Sequence, residues 1–202
     1  MFLSKNMEVK LPLVLGSSSV FRCGQLRRLG IDFQTASPDF DEMPIAGEHA
    51  GETALRLAEG KARSLAAAFP AALIIGADQV AWCEGRQLGK PMNVANAQQM
   101  LADLSGKRIE FYSAIVLLNT ATGKVQYHVD HTVVAMRQLT QEQISRYLSR
   151  EPDAVYCAGA AKSEGLGAAL LERIESTDPN ALIGLPIFRL IDFLKNEGVE
   201  VL

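Results

Sequence analysis

A few groups of residues in this sequence carry side chains that could act together. The first is Gly16-Ser17-Ser18-Ser19-Val20-Phe21-Arg22. Hydroxyls, backbone N–H groups and a helix start at one point attract an anion such as phosphate. Arg22, one turn further on, can fork onto the same anion. An ordinary strand-to-helix turn with a surface arginine accounts for these residues equally well. The second group is the acidic run Asp39-Phe40-Asp41-Glu42, opened by Pro38. The third is Asp78, directly after the apolar run Leu73-Ile74-Ile75-Gly76-Ala77. A carboxylate at the end of a buried strand is where open α/β sheets place chemistry; a loop aspartate is the plainer alternative. Lys61 and Lys90 supply cations, although a lysine at the border of an apolar helix face usually snorkels outward. Oxygen ligands mixed with cations suit phosphate chemistry with a hard divalent metal.

Other motifs fail on inspection. Gly85-Arg86-Gln87-Leu88-Gly89-Lys90 is one residue short of a P-loop, and Pro91 stands where a hydroxyl would hold magnesium. No G-x-G-x-x-G follows a strand. His128 and His131 are three apart in a predicted strand, so they face opposite sides and make poor joint ligands. Ser17 has no G-x-S-x-G setting, which removes support for a serine-hydrolase triad.

The elements that must position these groups follow from local patterns. Residues 13–15 read as a buried strand, and Ser19 as the N-cap of a helix to about Leu29, stopped by Gly30. Residues 31–36 read as a second strand. A helix from Thr53 to about Phe69 has one apolar face of Leu55, Ala58, Ala62, Leu65, Ala66 and Phe69, with Lys61 at its border. Residues 73–77 form a strand buried on both faces. Residues 80–87 fit a hairpin turning at Glu84-Gly85, and residues 94–104 a helix stopped by Gly106. Two long strands, 111–118 and 125–136, are joined by the turn 119–124. Thr140 with Gln143 makes a capping box for a helix to about Arg150. The Gly/Ala-rich segment 157–167 is irregular, residues 168–174 return to a strand, and Pro186 opens a last helix ending at Gly198. Alternation of strands and helices, interrupted by a hairpin, predicts an α/β fold with a mixed sheet.

Composition narrows the class. The chain has 202 residues, enough for a real core in one large domain, residues 1–202, or in two small ones. A hydrophobic content of 48% with 21% charged residues is that of a globular protein, and a formal charge of −3 argues against a duplex nucleic-acid partner. No apolar run is long enough to span a bilayer, and the polar opening residues leave no signal-peptide core, so no membrane partner is expected. Cys23, Cys83 and Cys157 are odd in number and widely spaced; they read as reduced thiols of a cytoplasmic protein.

Taken in order, these blocks resemble the Maf family of nucleotide pyrophosphatases. The serine loop with Arg22 resembles its S-x-S-P-x-R signature. Asp39-Phe40-Asp41-Glu42 resembles its D-x-D-E loop, and Glu59-Gly60-Lys61-Ala62 its E-x-K-A helix. Gly76-Ala77-Asp78-Gln79, Gly89-Lys90-Pro91, Lys162-Ser163-Glu164-Gly165 and the block from Asn180 to Pro186 complete the set. The resemblance covers nearly the whole chain. Val20 departs from it where the family has proline, and Cys23 where a second arginine often follows.

The resemblance implies a mixed, twisted central sheet flanked by helices, in two lobes with a cleft, and a homodimer. It implies hydrolysis of a nucleoside triphosphate between the α and β phosphates, with Mg²⁺ or Mn²⁺. Phe21, Gln79 and Glu164 resemble the branch acting on 7-methyl-GTP; the dTTP/UTP branch has Arg, Thr and Gln there. Phe21 would stack on the cationic methylated ring, Glu164 would accept from the guanine N–H groups, and Gln79 would offer both a donor and an acceptor. Helix packing for Phe21 and a solvated loop charge for Glu164 are the plainer readings. Asp78 is the expected general base, Glu42 and Asp78 the candidate metal ligands, and Arg22, Lys61 and Lys90 the charge stabilisers, with Ser17 on the phosphates. The alternatives are a dTTP/UTP pyrophosphatase and a non-catalytic nucleotide-binding regulator of septum formation.

Overall fold

The computed structural model describes residues 11–202; the polar opening stretch, residues 1–10, lies outside the described residues. The first strand, β1 (Leu13–Gly16), leads through the serine loop into α1 (Val20–Arg27), then β2 (Gln34–Ala36) and α2 (Ala50–Ser64). A long β3 (Leu73–Cys83) turns back through the short β4 (Arg86–Leu88) and is followed by α3 (Val94–Leu104). The hairpin β5 (Arg108–Asn119) and β6 (Val125–Met136) precedes α4 (Gln141–Arg150), three 3₁₀ turns, β7 (Leu171–Glu175) and α5 (Ile187–Asn196). These strands make one mixed sheet in the order β2-β1-β3-β5-β6-β7, with β4 on β3. β1 runs parallel to β2 and β3; the remaining pairs are antiparallel.

Helices cover both faces near β1. Leu15, Leu26, Ile75, Leu117, Leu190 and Leu194 fill one side between the sheet, α1 and α5. Val14, Ile74, Val116 and the α2 alanines Ala54, Ala58 and Ala62 fill the other. A further core joins the far ends of β3 and β5 to α3 and α4, through Leu101, Leu104, Phe111, Ile144 and Leu148.

One edge of β3 is shared unequally. β1 covers Leu73 to Gly76 and ends; β4 covers Ala81 to Cys83. Among the described residues no strand pairs with residues 77–80 on that edge, while β5 lies along the whole of the other. The sheet therefore opens in its middle, next to Asp78 and Gln79. Asp78 sits within an eleven-residue strand, not at the end of one. The reason is β5, whose pairing carries the backbone on past the carboxylate.

Some boundaries differ from those read in the sequence. The second strand keeps only its last three residues. α2 starts at Ala50, because His49 and Glu52 form a capping box ahead of Thr53, and it stops at Ser64. Its buried face is consequently Ala50, Ala54, Leu57, Ala58, Lys61 and Ala62, so Lys61 lies within the face and not on its border. Residues 166–170 are a 3₁₀ turn, and β7 begins only at Leu171. Pro186 precedes α5 and cannot cap it with its side chain; the buried Asp178 does so, its Oδ2 accepting from Phe188 N at 2.8 Å. The Thr140–Gln143 capping box forms as the sequence predicts, with bonds of 3.2 and 2.8 Å.

No helix among the described residues is long and apolar enough to cross a membrane.

Candidate active site

The serine loop begins where β1 loses its neighbour. Ser17 N donates to Leu15 O (3.0 Å), and Ser17 Oγ accepts from Ser19 N (3.1 Å). Ser19 caps α1, its Oγ accepting from Arg22 N at 3.4 Å. Among the described residues the N–H groups of Ser18, Val20 and Phe21 have no partner, so a fan of donors opens at the helix start, where an anion is favoured. Val20 holds the first helical position, the one a proline would suit. Arg22 Nε donates to Gly184 O at 3.1 Å, which fixes the guanidinium and leaves its terminal nitrogens for the opening. Burial pulls the Arg22 pKa down from its ordinary value, and the charges of Asp78 and Glu42 push it back up. An arginine stays cationic under either influence.

Lys61 reaches the same opening from α2. Gly76 makes this possible, because a Cβ there would stand on the carbonyl oxygen of Ala58. Glycine in the strand and alanines at four-residue spacing on the helix let the two backbones meet closely. Lys61 Nζ then lies 2.6 Å from Asp78 Oδ1 and 3.1 Å from Glu42 Oε2. The Lys61 and Asp78 side chains are about 10% and 11% exposed, whereas Glu42 is 57% exposed and comes from the loop side.

The acidic loop is seated by a second glycine. Phe40 lies over Gly60, where a Cβ would fall inside its ring. Lys61 is the next residue along and Glu42 is two residues past the ring, so the contact sets the Glu42–Lys61 distance. Gly60→Ala is expected to lift Phe40 and withdraw Glu42, lowering kcat about five- to twentyfold as an electrostatic contact is lost, with Tm nearly unchanged. Kinetics beside a thermal melt checks this; unchanged kcat would show that Glu42 does not depend on the ring.

A further wall comes from the loop after β4 and the segment after α4, which Gly159 N ties together by donating to Gly89 O at 3.4 Å. Lys90, exposed on the loop after β4, faces the cleft together with Ser163 and Glu164. The segment carrying Glu164 is braced from behind. Tyr147 OH accepts from Lys162 N (3.0 Å) and donates to Ala160 O (3.1 Å); burial pushes its pKa up to about 12. Glu151 accepts from Lys162 Nζ (2.9 Å) and Leu166 N (3.0 Å), and these bonds hold its carboxyl below the usual range.

Gln79 lines the cleft as well, but its donor is spent internally. The two protons of Nε2 are shared among Ser113 Oγ (2.8 Å) and the carbonyls of Ala181 and Leu182 (both 3.0 Å). The donor that the sequence reading assigned to the base is therefore committed to the protein, because the segment after Asn180 lies directly against this face.

All of these walls enclose one cavity of about 600 Å³. Ser17, Phe21, Arg22, Glu42, Lys61, Asp78, Gln79, Lys90 and Glu164 all line it, whereas Asp39 and Asp41 of the acidic run do not. That volume is of the size small-molecule sites occupy. Sequence reading missed Ser113, Tyr147, Glu151 and Asp178. Only Ser113 left a trace, as a small polar residue in an otherwise apolar run.

The donor set suits a hard cation. Lys61 occupies Asp78 Oδ1 and Glu42 Oε2, while Asp78 Oδ2 and Glu42 Oε1 have no hydrogen bond among the described residues. No group of three or more His, Cys, Asp or Glu among the described residues forms an all-protein cage. Two carboxylates with room for water and phosphate oxygens match how Mg²⁺ and Mn²⁺ are held.

A family model described as Maf-like protein matches residues 12–197. A 7-methyl-GTP pyrophosphatase of Neisseria gonorrhoeae is 74% identical over 196 residues, covering 97% of this chain and 100% of the relative. One of Chromobacterium violaceum is 55% identical over 190 residues, covering 94% and 98%. Another, from Vibrio vulnificus, is 47% identical over 190 residues, covering 94% and 97%.

Proposed function

We propose, from the premise that this chain belongs to the Maf-like protein family, that it hydrolyses 7-methyl-GTP to 7-methyl-GMP and pyrophosphate. The observation that carries this reading is the 74% identity, over the full length of the relative, to a protein named for that activity. The cleft supports it, since its lining includes an anion seat, a carboxylate with a free oxygen, an aromatic and a further carboxylate.

The triphosphate lies across the start of α1. The free N–H groups of the serine loop and the Arg22 terminal nitrogens hold its oxygens, with Ser17 keeping the loop in shape. Lys61 fixes Asp78 through Oδ1 and leaves Oδ2 open. Oδ2 takes a proton from water as that water adds to phosphorus, and the bond to the oxygen bridging the α and β phosphates breaks. Pyrophosphate leaves with the bridging oxygen, and Arg22, Lys61 and Lys90 stabilise its charge. Glu42 would hold Mg²⁺ or Mn²⁺ with Asp78 as an anchor through water, and the ion would supply further charge neutralisation on the phosphates.

At the base end, Phe21 stacks on the methylated ring, whose positive charge adds a cation–π attraction of about 0.5–2 kcal/mol. Glu164 offsets that charge and accepts from the ring N–H groups. A pyrimidine offers no ring cation to either residue. The resemblance further supports a homodimer, and the three cysteines, all free in the structure, fit a cytoplasmic protein.

The test is pyrophosphate release with Mg²⁺ or Mn²⁺ from 7-methyl-GTP, GTP, dTTP, UTP and CTP. Strong preference for 7-methyl-GTP is expected. Turnover of dTTP and UTP instead would keep the chemistry and overturn the base assignment. Tight binding without release from any nucleotide would favour a regulator.

A further inference from the structure

The residue directly across the sheet from Gln79 is Ser113, and across from Ser113 is Asp130. The three side chains form a polar row on one face of β3, β5 and β6, which the buried Thr132 extends by donating to Asp130 Oδ1 at 3.2 Å. The segment 176–184 lies along this row. Ser113 Oγ donates to Ala181 O at 2.7 Å, and Thr177 Oγ1 donates to Asp130 Oδ2 at 2.7 Å. Ser113 is 0% exposed and Asp130 is 2% exposed, so no bulk water competes for these bonds.

Two backbone carbonyls set the polarity of the row. The Ala181 and Leu182 carbonyls can only accept, so they require Gln79 to turn Nε2 inward. Ser113 Oγ donates to Ala181 O, which holds that carbonyl in place, and accepts from Nε2 at 2.8 Å. Rotating the amide by half a turn would set its oxygen against two carbonyl oxygens, a cost the buried setting makes large. Its Oε1 has no hydrogen-bond partner among the described residues and is not among the buried unpartnered atoms, so it is left accessible.

We infer that Ser113 is a positioning residue for base recognition: it locks the Gln79 amide so that only an acceptor faces the cleft. The site then reads an N–H donor on the base edge. Guanine and its 7-methyl form carry N–H donors at ring position 1 and on the 2-amino group, which Glu164 and Gln79 Oε1 divide between them; adenine carries a bare nitrogen at position 1 and meets these acceptors with repulsion. This deepens the substrate reading above and rests on it for which nucleotide is cleaved.

Steady-state kinetics with 7-methyl-GTP, and competitive inhibition constants for GTP and ATP, test it. The wild-type protein is expected to favour GTP over ATP. In Ser113→Ala that preference should fall about fivefold, and KM for 7-methyl-GTP should rise by a similar factor with kcat nearly held, the weight of one oriented hydrogen bond. Ser113→Thr keeps the hydroxyl and should keep the preference. A merely structural role would lower the active fraction and leave the ratio of inhibition constants unmoved. An unchanged ratio in Ser113→Ala, or a loss that Ser113→Thr shares, overturns the inference. If Ser113→Ala does not fold, Ser113→Cys retains the volume with a far weaker hydrogen-bonding group and is read the same way. A wild-type protein that ignores 7-methyl-GTP overturns the substrate reading alone, because the inhibition constants can then be taken against the nucleotide it does cleave.

Discussion

Asp78→Asn is expected to bind 7-methyl-GTP within a few-fold of the wild-type protein and to lose turnover by at least about a thousandfold. The amide has the size and shape of the carboxylate, and its oxygen can still accept from Lys61. It cannot take a proton from water at neutral pH. General-base catalysis is worth roughly 10²–10⁴ in rate, and the loss of charge beside Lys61 and Glu42 adds to it. The pattern that matters is a collapse of kcat with KM held, which marks an interaction made only in the transition state. Burst and steady-state pyrophosphate release, with calorimetric binding of the nucleotide, would resolve this. Near-normal kcat would remove Asp78 from the role of base and return the question to Glu42.

Lys61→Met is expected to show two separable losses. Catalysis falls about 10²- to 10³-fold, because the cation that orients Asp78 and faces the leaving group is gone. Stability also falls. Lys61 and Asp78 meet at 2.6 Å with little exposure, and removing one partner leaves a buried charge uncompensated. Breaking such a pair typically costs about 3–5 kcal/mol. Arg22 still lies within electrostatic reach of Asp78, and the cleft admits water, so the low end applies, about 3 kcal/mol. For a chain of this length that is roughly 6–12 °C in Tm. The double variant Lys61→Met with Asp78→Asn should recover most of the stability and none of the activity, since no uncompensated charge remains. Thermal melts of the four proteins test this. A double variant as unstable as Lys61→Met would mean that methionine fails by packing and not by charge.

Both expectations depend on a contact that the sequence only half disclosed. Asp78 was legible as a carboxylate after an apolar run, and Lys61 as a cation near an apolar helix face. Their pairing was not, because it depends on how α2 is rotated over the sheet. That rotation is set by the His49 capping box and by Gly76, which admits the helix backbone. Phe40 over Gly60 is similar: residues twenty apart with no shared pattern, joined because one lacks a Cβ and the other needs a place for a ring.

By itself the sequence determined what is local. The strand at residues 13–15, the Ser19 cap, the turn 119–124, the Thr140 capping box and the amphipathic last helix all follow from interactions within a few residues, and their neighbours in the chain carry the signal. It also marked which polar side chains are candidates for the chemistry, through ordered blocks that resemble those of the Maf family. Only the tertiary structure decided how those side chains are used. The register of β3 against β5 places Ser113 beside Gln79 and turns the amide donor inward. The ending of β1 at Gly16 and the start of β4 beyond it open the sheet edge at Asp78. The segment carrying Glu164 is held on either side of it by Tyr147 and Glu151, from another helix and its following turn. Each of these depends on strand register or on packing between distant segments, which follows from burying the whole apolar surface at once and leaves no mark in any single stretch of residues.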